Sequence, residues 1–311
     1  MDGYKHETFK TVSRVIIFLL LVVSLDYAGG KVMEAMYYRQ KKGIYFRTTY
    51  GMEGTHAELL VFGSSSANHH YVPSIFSDSM KMTVFNEGRD GMEILYHTAV
   101  LKEILSRYTP KLVILNLTPN ELSNVDNYDK LAALLPYCRK HPYVRDVLKI
   151  RTTYEKYKMY SGLYPFNSTF LTMLPNLKGH PDESQLTGYI PLPETMDTAG
   201  LHPITFRYEP ILDSVRVKAL DDFLSECRQR NIRTFVVYSP WYYATTDETA
   251  TINATAREVN KYGSQLFNHI LDTTFLGKPR YFKDESHLNS KGAALFSQII
   301  VEQIRQNIKQ K

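Results

Sequence analysis

The chain has 311 residues, of which 43% are hydrophobic and 22% are charged, and its formal net charge is +5. This composition is that of an ordinary globular protein with room for one large domain or two small ones. The charge excess is small, and no run of five or more like charges occurs, so the sequence predicts no nucleic-acid partner. Cys138 and Cys227 lie far apart without zinc-ligand spacing. We interpret both as buried apolar side chains, although an oxidising compartment could pair them.

The N-terminus carries an apolar run. Three basic residues precede it, residues 15–23 are all apolar, and the run extends to Leu25 before Asp26 ends it. Its length suits a signal peptide better than the about 20 residues of a spanning helix. A small-x-small cleavage pattern occurs only at residues 28–30, however, which favours an uncleaved segment. We therefore expect segment 1–30 to be a single-pass anchor in the cytoplasmic membrane, with a cleaved signal or a buried helix as alternatives. Whether segment 1–30 is an anchor or a cleaved signal, we expect the rest of the chain to be exported.

Beyond a connector at residues 31–54, apolar runs alternate with helical patterns. The runs 58–62, 82–85, 112–117 and 234–238 are typical of buried parallel strands. Helical periodicity appears between 94 and 105, between 219 and 227, and from about Lys291 onwards. We therefore predict an α/β domain over 55–311: a flavodoxin-like parallel sheet in a three-layer α/β/α arrangement.

The segment 124–210 interrupts this alternation. Tyrosine, proline, asparagine and lysine are frequent there, and no apolar strand run occurs. We interpret it as a mostly helical and loop insertion with short helices at about 128–135 and 144–160. Its tyrosines can stack on sugars, but this spacing favours packing along the edge of the core. They are Tyr143, Tyr154, Tyr157, Tyr160 and Tyr164.

Polar side chains follow the predicted strand ends, where ligand crevices form in doubly wound sheets. Ser65 lies in the turn after the first strand, and Asp284 and His287 lie in a loop before the last helix. A serine hydroxyl needs an adjacent base to act as a nucleophile, and a histidine base needs a carboxylate to orient it. We predict these roles for Ser65, His287 and Asp284. Spacing alone leaves Ser64 and Ser66 open as the nucleophile.

Acyl transfer also requires donors for an oxyanion. The backbone N–H groups of Ser65 and Gly91 and the side-chain amide of Asn120 would converge if the first three strands are adjacent. Gly88 competes with Gly91 for this role. The residues alone leave both glycines open.

Two further side chains are predicted to line the substrate crevice, namely His69 and Trp241. His69 is followed by His70, but adjacent residues do not share a helix face and no carboxylate has metal-site spacing. We therefore predict neither a metal ion nor a cofactor.

The four blocks Gly63-Ser64-Ser65, Gly91, Asn120 and Asp284-x-x-His287 resemble those of the SGNH (GDSL-type) hydrolase superfamily, in the same order. The resemblance covers about residues 55–123 and 215–305. The Gly-Ser-Ser block and the His-Leu-Asn-x-x-Gly-Ala run at 287–293 are most similar to the membrane-anchored, extracytoplasmic branch. That branch resembles D-alanyl transfer proteins and polysaccharide O-acetyltransferases. In the second block the resemblance favours Gly91 over Gly88, because the offset of Gly91 from Asn86 matches the family pattern. The third block departs from the family's Gly-x-Asn-Asp and reads Thr-Pro-Asn-Glu at 118–121.

The resemblance implies a serine-dependent esterase or O-acyltransferase. Its substrates would be acyl esters of cell-envelope carbohydrate, chiefly acetyl esters, with an acyl-serine intermediate. A multipass membrane protein that exports acyl groups is the implied partner. Two alternatives stay open: an inactive scaffold, because of the altered third block, and a carbohydrate-binding protein that uses Tyr164 and Trp241.

Overall fold

A five-stranded parallel sheet forms the centre of the structure, a computed structural model that describes residues 2–124, 127–199, 211–243 and 249–309. The strand order is β2-β1-β3-β4-β5, the order of flavodoxin-like sheets. The predicted α/β class and its parallel sheet are therefore confirmed. The strands are β1 (Leu59–Gly63), β2 (Val84–Asn86), β3 (Leu112–Leu117), β4 (Arg233–Tyr238) and β5 (Gln265–Asn268).

The central strands β1 and β3 are buried along their whole lengths. Alternate side chains point to opposite faces, so that Leu60 and Phe62 lie in one apolar cluster while Leu59 and Val61 lie in another. Because both faces are covered, the strands are continuous apolar runs rather than alternating ones.

Helices of the α/β domain cover both faces. The first cluster contains side chains of α5, α10 and α11, and the second contains side chains of α3, α4 and α12. The buried Cys227 belongs to the first cluster, and Cys138 is buried there as well, as predicted. The helices are α3 (Ser65–His70), α4 (Pro73–Met80), α5 (Ile94–Leu105), α10 (Ser214–Gln229), α11 (Thr249–Lys261) and α12 (Ser290–Lys309).

The chain before the sheet is helical. Helix α1 (Asp2–Tyr38) has 37 residues and continues past residue 30, where the sequence suggested a boundary. It is followed by α2 (Gly43–Thr49) and a π-helical turn, Tyr50–Gly54. Among the described residues, α1 is the one helix long and apolar enough to cross a membrane. Its apolar side chains are exposed, which contradicts the buried-helix alternative.

The insertion between β3 and α10 is built from short helices. They are the 3₁₀ segments Asp129–Tyr137, Tyr164–Phe166 and Leu174–Asn176 and the helices α6 (Pro142–Leu148), α7 (Glu155–Lys158), α8 (Phe170–Met173) and α9 (Glu183–Thr187). The single helix predicted at 144–160 is thus wrong. It is split because the Thr152 hydroxyl and the Arg151 guanidinium bind the buried Glu155 carboxylate, and α7 begins there.

The predicted packing of the insertion's tyrosines is wrong for four of the five. Tyr154, Tyr157 and Tyr160 are 69%, 60% and 84% exposed, and Tyr143 is also exposed at 42%. Tyr164 is partly buried, and its hydroxyl donates to Glu155 at 2.6 Å. The short helix α7 leaves these rings outside because the buried carboxylate of Glu155 occupies its inner face.

Candidate active site

The turn after β1 places Ser65 at the carboxyl edge of the sheet. Gly63 ends the strand with φ 138°, and a Cβ atom there would lie 2.2 Å from the Asn116 carbonyl oxygen of β3. Only glycine fits this position. Ser65 is the first residue of α3 and is partly exposed. Its N–H therefore has no partner within the helix.

The loop before α12 is organised around the Asp284 carboxylate. Its Oδ1 accepts hydrogen bonds from the N–H groups of Ser286, at 2.9 Å, and His287, at 3.0 Å. The Ser286 hydroxyl donates to the same oxygen at 3.1 Å. The carboxylate is thereby fixed beside the imidazole of His287, and both its oxygens lie 2.9 Å from Nδ1.

The opposite nitrogen of His287, Nε2, lies 2.7 Å from Ser65 Oγ. These three side chains form a serine–histidine–aspartate triad. Of the three consecutive serines, Ser65 is the one whose hydroxyl reaches the histidine. Burial alone would raise the pKa of Asp284, but hydrogen bonds from His287 and from the Ser286 N–H hold it well below its ordinary value. Asp284 is thus a carboxylate that accepts the Nδ1 proton, which leaves Nε2 as the acceptor for Ser65.

The residues after His287 hold this loop against α12. The Asn289 Oδ1 accepts from the N–H groups of Lys291 and Gly292 at the start of the helix, while its amide nitrogen donates to the carbonyls of Arg280 and Phe282. A Cβ on Gly292 would lie 2.2 Å from the Tyr281 carbonyl. The Asn-x-x-Gly pattern therefore serves the geometry of the loop that carries His287.

His70 supports the loop from the other side. It is fully buried, and its Nε2 accepts the Leu288 N–H at 2.9 Å. Burial and the neighbouring His287 hold the pKa of His70 well below its ordinary value. A neutral His70 can keep accepting this hydrogen bond, which anchors the residue after His287.

His69 is also beside the triad, with its ring 5.8 Å from that of His287 in an edge-on arrangement. It is 7% exposed, its Nδ1 donates to the Ile190 carbonyl at 2.7 Å, and its Nε2 lies 3.3 Å from Asp90. Asn68 donates to Asp90 at 2.7 Å and accepts from Arg47 at 2.9 Å. This chain of contacts ties the insertion and α2 to the first turn of α3.

Gly91 and Asn120 lie at the carboxyl edge of β2 and β3, and both are exposed. Gly91 has φ 72° and open space where a Cβ would be. Gly88, the competing glycine, is buried and packs against α3, where a Cβ would lie 2.3 Å from the Asn68 nitrogen. The Asn120 carbonyl accepts the Ser123 N–H at 3.1 Å within a turn.

Glu121, the residue after Asn120, has a structural role. Glu121 is buried, and its carboxylate accepts the Ile94 N–H at 2.6 Å and the Thr118 hydroxyl at 2.9 Å. It thus caps the N-terminus of α5, where a carboxylate is favoured. The carboxylate of Glu121 therefore serves the packing of α5.

Trp241 follows β4 and is partly exposed. Its N–H donates to the Ile270 carbonyl at 3.4 Å, and the N–H of the next residue, Tyr242, donates to the Glu285 carbonyl at 2.9 Å. Since Glu285 lies between Asp284 and His287, the Trp241 segment borders the loop of the triad.

No known protein-family profile matches the chain, and no curated protein matches it. Among solved structures, the chain is similar to the psychrotrophic esterase EstA from Pseudoalteromonas sp., in a structure inhibited by monoethylphosphonate. The identity is 10% and the TM-score 0.41, over 81% of this chain and 98% of that one. So distant a likeness carries no functional argument, and the function is inferred from the site itself.

Several residues that surround the triad were not predicted from the sequence as site residues. Asn68 and Asp90 lie within the first two blocks and could have been noticed by their position, and Ser286 stands inside the Asp-x-x-His motif. Arg47 gave no signal because it lies in α2, more than fifteen residues before the first block. It reaches the site only through the packing of α2 against the sheet edge.

Proposed function

We propose that the protein is a serine-dependent, SGNH-like esterase or O-acyltransferase that acts through an acyl-serine intermediate. The observation that carries this proposal is the triad: Ser65 Oγ lies 2.7 Å from His287 Nε2, whose Nδ1 lies 2.9 Å from Asp284. These distances suit proton transfer from the hydroxyl to an oriented base.

The first half-reaction forms the acyl-serine. Ser65 Oγ attacks the carbonyl carbon of the ester while its proton passes to His287 Nε2, and the carbonyl oxygen becomes an oxyanion. When the tetrahedral intermediate collapses, the bond to the alkoxy oxygen breaks and His287 returns the proton to the leaving alcohol. In the second half-reaction, water or a sugar hydroxyl gives its proton to His287 and attacks the acyl carbon. When this second tetrahedral intermediate collapses, the bond between the acyl carbon and Ser65 Oγ breaks and His287 returns the proton to Ser65.

The oxyanion needs donors on the side of the sheet edge. The N–H of Ser65, free at the start of α3, is one. The N–H of Gly91 and the amide of Asn120 are the other two in this proposal, because they lie at the ends of the strands on either side of β1. Their exposure leaves them accessible to a substrate.

Acyl esters of cell-envelope carbohydrate, chiefly acetyl esters, are the substrates we propose. The side chains of His287 and Asp284 are 24% and 44% exposed, so the triad is accessible from solvent. His69 and Trp241 border it and are proposed to line the crevice. With α1 as a single-pass anchor in the cytoplasmic membrane, the domain would face the envelope, and a multipass exporter of acyl groups would be its partner.

The proposal is tested by labelling with a fluorophosphonate, which reacts with activated serines. We expect the full chain in detergent to be labelled and the Ser65→Ala variant to lose the label, while Ser66→Ala, the matched control, keeps it. Intact-mass analysis after mixing with an aryl acetate should show an acetyl adduct on Ser65. Labelling that survives Ser65→Ala would overturn the proposal.

An inactive scaffold is the second candidate, and the capping role of Glu121 favours it, because the third block then serves the fold. The two candidates differ in turnover. Hydrolysis of an aryl acetate that is lost in His287→Ala would exclude the scaffold. Folded protein without hydrolysis or labelling would favour it.

A further inference from the structure

An acidic side chain of helix α1, Asp26, binds the insertion. The Asp26 carboxylate accepts from the Ser161 hydroxyl at 2.7 Å, from the Leu163 N–H at 3.1 Å and from the Gly162 N–H. Close packing accompanies these hydrogen bonds, since a Cβ on Gly30 would lie 2.4 Å from the Gly162 backbone. Residues 161–163 are therefore fixed at the level of residues 26–30 along α1.

If α1 spans a bilayer, as in the proposed function, this level lies at its edge. Lys10 and Lys31 are 21 residues apart in one helix, which is about 31 Å at 1.5 Å per residue. The hydrocarbon layer of a membrane is about 30 Å thick. Asp26 then lies about 7 Å on the membrane side of Lys31. The hydrogen bonds from the insertion satisfy a carboxylate that would otherwise be costly at this depth.

The surface beside this contact is aromatic and basic. Tyr157 and Tyr160 are 60% and 84% exposed, and Leu163, which contacts Gly29, is 41% exposed. Lys156 and Lys158 lie on either side of Tyr157 in α7, and both are exposed. Tyrosine is enriched where protein meets the membrane–water interface, and lysine there attracts anionic headgroups.

We propose that this surface, residues 154–163, lies in the interfacial layer of the bilayer around α1, with Lys156 and Lys158 facing anionic phospholipid headgroups. The proposal rests on the anchor of the proposed function and is independent of catalysis by Ser65. It explains why the tyrosines are exposed. It also implies that the domain is held in one orientation on the membrane, because α1 and the insertion contact the lipid together.

The experiment uses the full chain in nanodiscs of phosphatidylcholine and phosphatidylglycerol, with an environment-sensitive dye on an introduced cysteine. Tyr157→Cys and Tyr160→Cys report on the surface, and Gln229→Cys, exposed at the end of α10, is the control. Both native cysteines are buried, and the unsubstituted chain provides the labelling blank. Lipids brominated near the headgroup serve as the quencher.

We expect the brominated lipids to reduce the fluorescence at positions 157 and 160 by about half or more and to leave position 229 unchanged. The double variant Lys156→Gln/Lys158→Gln should show less quenching at positions 157 and 160 in discs that contain phosphatidylglycerol. If the brominated lipids quench positions 157 and 160 no more than position 229, the proposal is overturned, and a protein partner is left as the occupant of the surface. Loss of hydrolysis in Ser65→Ala with unchanged quenching would separate this result from the proposed function.

Discussion

His287 is held from both ends of its ring and from one flank. Asp284 binds Nδ1 and Ser65 contacts Nε2, while the rings of His69 and His70 lie edge-on at 5.8 and 6.3 Å. These contacts fix both the tautomer and the direction of the ring. Replacing the Asp284 carboxylate should therefore affect the reaction far more than the fold.

Asp284→Asn tests the tautomer. The amide keeps an oxygen for the Ser286 and His287 N–H groups, but it no longer stabilises the protonated histidine, so we expect kcat on an aryl acetate to fall by about 10³- to 10⁴-fold. The circular dichroism spectrum and the melting temperature should change little. A kcat within about threefold of the unsubstituted chain would contradict the role of Asp284.

Gly88→Ala and Gly91→Ala form a matched pair in the turn after β2. At Gly88 a Cβ would lie 2.3 Å from the backbone of α3, whereas at Gly91 it would meet open space. We expect Gly91→Ala to lower the free energy of unfolding by about 1–2 kcal/mol, because alanine is strained at the positive φ of this position. Gly88→Ala should lower it by about 3 kcal/mol or more, because the turn or α3 must move. Chemical denaturation measures both; a larger loss in Gly91→Ala would contradict this packing.

At the scale of elements, His141 joins the insertion to the rest of the domain. It precedes α6, and its ring nitrogens lie 3.2 Å from Glu103 of α5 and 2.9 Å from Glu53 of the π-helical turn. Burial lowers the pKa of His141, but the hydrogen bonds to the two carboxylates outweigh it and raise the pKa to about 9. The histidine is thus charged at neutral pH.

This contact predicts a pH dependence of stability. Because the pKa of His141 in the folded protein is about 9 and its ordinary value is 6.5, the contribution of His141 to stability is complete below about pH 6.5 and is lost as the pH rises through 9. We expect His141→Gln to lower the free energy of unfolding by about 1–3 kcal/mol at pH 6 and by less at pH 9.5. Denaturation of the full chain in detergent measures this. An equal loss at both pH values would contradict the ion pair.

At the scale of the whole molecule, the N-terminal helix is packed against the domain. Helix α1 contacts the segment Tyr164–Phe166 and α8, and the Tyr37 hydroxyl donates to that of Tyr137 in the core at 3.2 Å. A simple flexible tether would need none of these contacts. Helix α1 and the insertion are therefore parts of one structural unit.

Gly30→Val tests this packing. Its side chain would collide with the Gly162 backbone, which cannot move away without breaking the hydrogen bonds of Asp26. We expect trypsin to cleave the insertion several-fold faster in this variant. Gly29→Ala is the control, since its Cβ would meet only the Leu163 side chain, at 3.0 Å. Equal cleavage rates in the two variants would contradict the proposed contact.

The sequence alone determined the class of fold and the residue types of the site. Continuous apolar runs predicted four of the five strands, because strands buried on both faces need apolar side chains throughout. The fifth strand, Gln265–Asn268, was missed because it lies at the edge of the sheet and is only partly buried. Ser65, Asp284 and His287 were singled out because they follow strands or precede a capped helix.

Only the tertiary structure decided which of three serines faces His287 and which residues support it. Ser65 and His287 are 222 residues apart, and their contact depends on how α12 packs against α3. The neighbouring Asp90 and Arg47 have no local pattern because their partners lie on other elements. The position along α1 at which the insertion packs could not be predicted either, because it depends on the contact between Gly30 and Gly162, which are far apart in the chain. Local patterns reveal burial and turns, whereas contacts between distant segments arise from packing.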